Sequence, residues 1–251
     1  MLGLVPLLLS LLLQSPAQPA ACANVWQNRA GEFEEYLRTA KIERIADIPI
    51  GVTRPRRAYL ASGGLASSFA WKPLKPGFQH GYFESYKSEI AAYELDKLLG
   101  LNMVPVVVER RIDSDLGAAV LWLDGVRSWE AVLPLPKPAT WDRQIARMKL
   151  VDDLIGNSDR NKGNLLVDAD WHIYLIDHSR AFATEVKLPQ ELQNIDRRLW
   201  ERMLSLDEAG LKTSMDQWLD ARQIQALLRR RDAMKKKIDA LAAKHGDSIF
   251  F

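Results

Sequence analysis

Several kinds of chemistry are excluded by what this sequence lacks. Its 251 residues contain one cysteine, Cys22, so neither an intrachain disulfide nor a thiolate metal cluster can form. No sign of charge dominates. Lys and Arg number 34 against 32 Asp and Glu, a net of +2, and that balance gives no reason to expect nucleic acid as a partner. The apolar run at residues 2–13 is twelve residues long, short of the roughly 20 needed to span a bilayer. No internal repeat or low-complexity tract is visible, which excludes solenoid architectures.

The N-terminal run also lacks a Lys or Arg before it. It leads into small residues ending Ala21-Cys22-Ala23. Residues 1–23 therefore read as a secretory signal peptide cleaved near Ala23, and the protein is expected to be exported, secreted or periplasmic. The rival reading is a misassigned start codon, which would leave the protein cytoplasmic. Cleavage before Cys22 with lipid attachment ranks second, because Gln18-Pro19-Ala20-Ala21 matches a lipoprotein signal poorly.

What is present is enough for a substantial core. Apolar residues make up 47% and charged residues 26%, as expected of one large domain or two lobes sharing a cleft. Residues 26–40 read as a helix. Short strands are expected at 48–52, 57–61 and 65–71, the last two joined by a turn at Ser62-Gly63-Gly64 and the third closed by Lys72-Pro73. A helix over 82–99 stops at Gly100. Further strands are expected at 104–112 and 118–123. Pro134, Pro136 and Pro138 mark a break. Beyond it Ile145, Met148, Val151 and Ile155 recur at helical steps. A short hairpin is expected from 165–167 and 173–176, and helices from about 188, ending in a long amphipathic helix over 222–244.

The stretch "IGNSDRNKGNLLV" at 155–167 places an Asp, an Arg, a Lys and three Asn just before a strand. Phosphoryl transfer asks for a cation on the nucleotide phosphates, a carboxylate near the attacking hydroxyl, and hard ligands for a divalent metal. Asp159 and Asn164 have the five-residue separation of a kinase catalytic loop. Asp177, in "YLIDHSRAF", directly follows an apolar strand, thirteen residues after Asn164. Lys72, in "FAWKPL", shares a strand face with Ala70. Glu89 opens "EIAAYELDKLLG" on the helix of the first half and could pair with Lys72, with Glu84 and Glu94 as competitors. Each residue also has a plain reading: turn carboxylates, a solvent-facing strand-end lysine, an exposed helix glutamate. Their order and spacing together favour the site.

On these motifs the chain resembles the atypical kinases, in the group containing phosphatidylinositol 3-/4-kinase-like proteins and the secretory-pathway (Golgi) protein and xylose kinases. The resemblance runs over about residues 48–182 and rests on "FAWKPL", "SEIAAYELDKLLGLNMVPVVVERR", "LWLDG", "DDLIGNSDRNKGN" and "IDHSRAF". It implies an α+β, two-lobed protein-kinase-like fold: a small β-rich N-lobe with one key helix at 48–126 and a mainly helical C-lobe at 127–251, preceded by a helical segment at 24–47. It implies ATP with Mg²⁺ or Mn²⁺ as cofactors, Lys72 on the α/β-phosphates, Glu89 as its partner, Asp159 as base, and Asn164 and Asp177 as metal ligands. Backbone groups of Trp122 and Leu123 would hold adenine, and a loop containing Gly51 and Thr53 would cover the phosphates. The departures are the absence of G-x-G-x-x-G, Ser158 in place of the Arg of H-R-D, His178-Ser179 after the metal aspartate, and no A-P-E. They agree with the atypical group.

The expected activity is transfer of the γ-phosphate to a hydroxyl of a protein, lipid head group or sugar, by a monomer. The alternatives are a nucleotide-binding pseudokinase scaffold and adenylyl transfer on the same fold. Asp152 and Asp153 are expected to support the catalytic loop, and Lys162 to reach the γ-phosphate or simply face solvent. The basic stripe of Arg229, Arg230, Arg231, Lys235, Lys236 and Lys237 is compatible with membrane contact through anionic lipid, although a solvated helix face is the favoured reading.

Overall fold

The computed structural model describes residues 25–49, 55–79 and 81–251. The expected signal segment at 1–23, with Cys22, and the loop residues Gly51 and Thr53 lie outside them. The first element is helix α1 (Ala30–Thr39), which buries Phe33 and Leu37 one turn apart. It starts later than the expected 26–40. Strand β1 (Ile42–Asp47) follows and pairs with β2 (Arg56–Leu60), so the first strand lies ahead of the expected 48–52. Strand β3 (Ser68–Lys72) comes next, then a small hairpin of β4 (Gly77–Gln79) and β5 (Tyr82–Glu84).

The expected helix over 82–99 is therefore corrected at its start: α2 spans Tyr86–Leu99. The reason is local. Ser85 is extended and its hydroxyl accepts the Lys87 N–H, an N-cap that starts the helix only after β5. Gly100 ends it in the left-handed conformation.

Strands β6 (Val107–Ile112) and β7 (Asp115–Leu121) complete an antiparallel sheet of order β1-β2-β3-β7-β6. Where β7 meets the end of β3, a Cβ on Gly117 would stand 2.6 Å from the Lys72 carbonyl oxygen. Only glycine lets the strands approach so closely there.

The second half begins with β8 (Arg127–Ser128), the short helix α3 (Trp129–Val132) and helix α4 (Trp141–Ile155). Strands β9 (Leu165–Val167) and β10 (Ile173–Leu175) form the expected hairpin, and β8 adds to its edge. Helices α5 (Arg197–Leu204), α6 (Glu208–Met215) and α7 (Ala221–His245) follow, the last opened by a capping box of Asp220 and Gln223. Among the described residues no helix is long and apolar enough to cross a membrane.

Two apolar clusters organise these elements, and α2 belongs to both. Its Ile90 and Tyr93 pack with the sheet, whereas Ala91, Ala92, Leu95 and Leu99 pack with α4 to α7. Full burial of an Ile or Leu contributes about 1.5–3 kcal/mol, so α2 is strongly held on two sides. This fixes the orientation of the polar residues in its first turn.

Candidate active site

The alternation in β3 places Ala70 and Lys72 on one face, with Trp71 and Phe69 buried on the other. Lys72 Nζ reaches Glu89 Oε1 at 2.6 Å and Asp177 Oδ1 at 2.8 Å. One ammonium thus joins the sheet, α2 and the loop after β10. Burial alone would lower the Lys72 pKa, but the Glu89 and Asp177 carboxylates outweigh it and hold the pKa above the ordinary lysine value. Burial alone would likewise raise Glu89. The Lys72 ammonium and the hydrogen bond from His178 hold it below the usual carboxylate range. The competitors of Glu89 have other partners: Glu84 pairs with Arg180 and Glu94 with Lys97.

Asp177 follows the apolar strand β10 and has φ of 61°. That left-handed value is uncommon for a residue with a side chain and is often found at functional turns. The loop 177–181 is fastened to the start of α2. The Ser85 N–H donates to Ser179 O at 2.9 Å, the His178 N–H to Glu89 Oε2 at 3.0 Å, and the Ser88 hydroxyl to Ala181 O at 3.1 Å.

The loop after α4 carries Asp159 and Asn164. Gly156 ends α4 with φ of 65°. The Asn157 side chain then bonds both Asp152 and the Asp159 N–H. Asn164 Nδ2 donates to the Asp159 carbonyl at 2.9 Å, and the Asn164 carbonyl accepts the Ile176 N–H at 3.1 Å. Asn164 is thereby tied to the residue preceding Asp177, and its Oδ1 accepts no hydrogen bond from the described residues. Asn164 Oδ1 and the Asp177 carboxylate are hard oxygen donors on adjoining chains. This set fits Mg²⁺ or Mn²⁺ completed by phosphate and water oxygens, since Mg²⁺ commonly takes only one or two carboxylates from the protein.

Arg160 is the residue that binds these loops together, and the sequence reading gave it no role. Its guanidinium pairs with the buried Asp152 carboxylate at 3.0 Å through both Nε and Nη2. Nη1 donates to the carbonyls of Asn164 and Ile176, each at 2.9 Å. Nη2 also lies 2.9 Å from His178 Nε2. A guanidinium can only donate, so His178 Nε2 must accept and the imidazole is neutral with its hydrogen on Nδ1. Burial lowers the His178 pKa in the same direction. The expected supporting role of Asp152 takes this form. Arg180 was missed as well: Nε bonds Glu84 and Nη1 lies 3.3 Å from Asp159 Oδ2. No spacing rule flags either arginine, because their partners come from other elements.

Among the described residues no hydrogen bond or ion pair joins the remaining expected residues, Trp122, Leu123 and Lys162, to this cluster; Leu123 is buried in the core. The Trp122 N–H is engaged with Ser68 O at 3.2 Å and its ring lies under the Arg57 guanidinium at 3.9 Å. Of the expected adenine-holding pair, Leu123 is the one whose N–H has no partner among the described residues. Lys162 is exposed at the start of a 3-10 turn, Lys162–Asn164.

Comparison with known proteins bears on the fold. No protein-family model matches the chain. Protein Rv2133c of Mycobacterium tuberculosis is 25% identical, covering 58% of this chain and 67% of its own. The structure of hydra Fam20 with sugar superposes with a TM-score of 0.70 at 17% identity, over 88% of this chain and 92% of that one. The Golgi casein kinase gives 0.68 at 14% identity, over 88% and 78%. Its structure with Mn/ADP bound gives 0.66 at 15%, over the same shares. The chain shares a kinase-like fold with these structures, with a β-sheet N-terminal region and a helical C-terminal region.

Proposed function

We propose that the protein is an ATP-dependent phosphotransferase that moves the γ-phosphate to a hydroxyl acceptor. The observation that carries this reading is the junction of Lys72 with Glu89 and Asp177 inside a kinase-like fold. In this reading Lys72, aligned by Glu89, holds the α/β-phosphates. Asn164 and Asp177 hold the metal, which neutralises charge on the phosphates. Asp159 takes the proton from the attacking hydroxyl. The backbone of Leu123 holds adenine. Nucleotide with a divalent ion is the ligand pair of the Golgi casein kinase structure with Mn/ADP bound. The motif resemblance supports a place near the phosphatidylinositol 3-/4-kinase-like and Golgi kinases, and the apolar segment at 1–23 supports export.

The test is the thermal midpoint of the full chain with ATP and Mg²⁺ or Mn²⁺, beside Asp177→Ala. A ligand that binds only the folded state adds about 2.7 kcal/mol at a hundredfold excess over its Kd. The expected result is a metal-dependent rise in midpoint that disappears in Asp177→Ala. No rise with either metal in a folded protein overturns the reading. A rise with no transfer identifies a pseudokinase, and incorporation of AMP in place of phosphate identifies adenylyl transfer.

A further inference from the structure

One contact in the cleft serves neither nucleotide nor metal. Arg180 lies three residues beyond Asp177 and reaches acidic groups on both lobes. Its Nε donates to Glu84 Oε1 at 2.7 Å, and its Nη1 lies 3.3 Å from Asp159 Oδ2. The guanidinium rests over the Tyr82 ring, 4.3 Å from its centroid. Glu84 is buried and is the last residue of β5. A cation held at Nε by a buried carboxylate and stacked on an aromatic face has little freedom of its own.

Asp159 is otherwise held by its backbone. Its N–H donates to Asn157 Oδ1, and its carbonyl accepts from the side chains of Asn161 and Asn164. The carboxylate itself has one ion-pair partner among the described residues, Arg180. Without that partner the side-chain torsions of Asp159 are unrestrained on a surface loop. Resting on the reading of Asp159 as the base, we infer that Arg180 is a positioning residue: it sets the direction of the Asp159 carboxylate and ties that direction to β5 of the N-lobe through Glu84.

One consequence is that both sides of the reaction hang from one short segment. Glu84 orients the base side through Arg180. Five residues later, Glu89 orients the phosphate side through Lys72. Arg180 pairs with Glu84 and Asp159, and Lys72 with Glu89 and Asp177, so the two cations share no carboxylate. Loss of Arg180 should therefore be felt in turnover rather than in nucleotide binding.

The experiment uses the full chain with Arg180→Ala, Arg180→Lys and Glu84→Gln. It measures ADP release from ATP and Mn²⁺ with water as acceptor, labelling of the chain by the γ-phosphate, and nucleotide affinity by thermal shift. Misplacing a reacting group by an ångström can cost about a hundredfold in rate. Arg180→Ala should lower kcat on that order and leave KM for ATP within about threefold, the pattern of an interaction made only in the transition state. Glu84→Gln should lower kcat less. Free guanidinium should restore turnover to Arg180→Ala, which a purely structural role would not allow. Wild-type kcat in Arg180→Ala, or a KM that rises in step with the fall in kcat, overturns the inference while leaving the phosphotransferase reading intact. If Arg180→Ala does not melt cooperatively, Arg180→Lys decides by the same two constants. If the wild-type chain neither releases ADP nor labels itself, the phosphotransferase reading fails and this inference with it.

Discussion

Arg160 and Arg230 are both withdrawn from water but are held in different ways. Arg160 faces the buried carboxylate of Asp152 and spends Nη1 on the carbonyls of Asn164 and Ile176. Arg230 is fully buried on α7 and pairs with no carboxylate among the described residues. It donates to the carbonyls of Leu154, Ala183 and Glu185, and its Nη2 has no partner among the described residues. Burial pulls the Arg230 pKa down to about 10. Beside the site, then, a cation and an anion are buried together and lock two loops in register. At the C-terminal end of α4, against Gly156, a cation is held by backbone carbonyls alone and pins the chain at residues 183 and 185. On the proposed reading the first arrangement fixes the geometry of the reacting groups, and the second closes the packing at the end of α4.

Substitution of the two arginines tests this difference. Arg160→Met leaves Asp152 as a buried charge without its partner and should cost about 3–5 kcal/mol, measured by urea unfolding, with transfer abolished. Adding Asp152→Leu should return most of the stability but none of the activity. Recovery of activity in the double variant would break the link between Arg160 and the site. Arg230→Met strands carbonyls rather than a charge and should cost about 1–3 kcal/mol, while kcat of the folded enzyme stays near wild type. An equal loss at both arginines would end the comparison.

The adjacent carboxylates Asp152 and Asp153 sharpen it. Asp152 has Arg160, whereas Asp153 accepts from the Gln190 N–H and its Oδ2 has no partner among the described residues. Burial pushes Asp153 up from 3.8 to about 6. The folded state then holds a proton that the unfolded chain releases. Its contribution to stability is complete below about pH 4 and is lost as pH rises through 6. Asp153→Asn should flatten the pH dependence of the unfolding midpoint between those values. The smallest effect is expected at the exposed pair Lys235–Asp239 on α7. Lys235→Ala should change stability by less than about 0.5 kcal/mol, which would show that burial rather than the presence of an ion pair decides the cost.

The contrast between these arginines also marks what the sequence could disclose. Periodic apolar residues made α4 and α7 legible, and Gly100 marked the end of α2. The order of Lys72, Glu89, Asp159, Asn164 and Asp177 was legible because each stands at a strand end, a helix start or a loop of fixed spacing. The structure brings Lys72, Glu89 and Asp177 into direct contact and ties Asn164 to Asp159. Strand β5 was hidden because Tyr82–Glu84 runs without a break into a helix, and only the Ser85 hydrogen bond separates them. Arg160 and Arg180 were hidden for another reason. Nothing in local pattern distinguishes a buried arginine from an exposed one, and the partners of Arg180 stand 96 and 21 residues away along the chain.

The Lys72 junction has a consequence for how a nucleotide would be received. The Lys72 ammonium is balanced by two carboxylates. On the proposed reading, binding is then an exchange of anions rather than the capture of an anion by a waiting cation. Glu89, the more deeply buried partner, stays. Asp177 yields its place at the ammonium and becomes a ligand in search of a cation, so arrival of the phosphates and demand for the metal become one event.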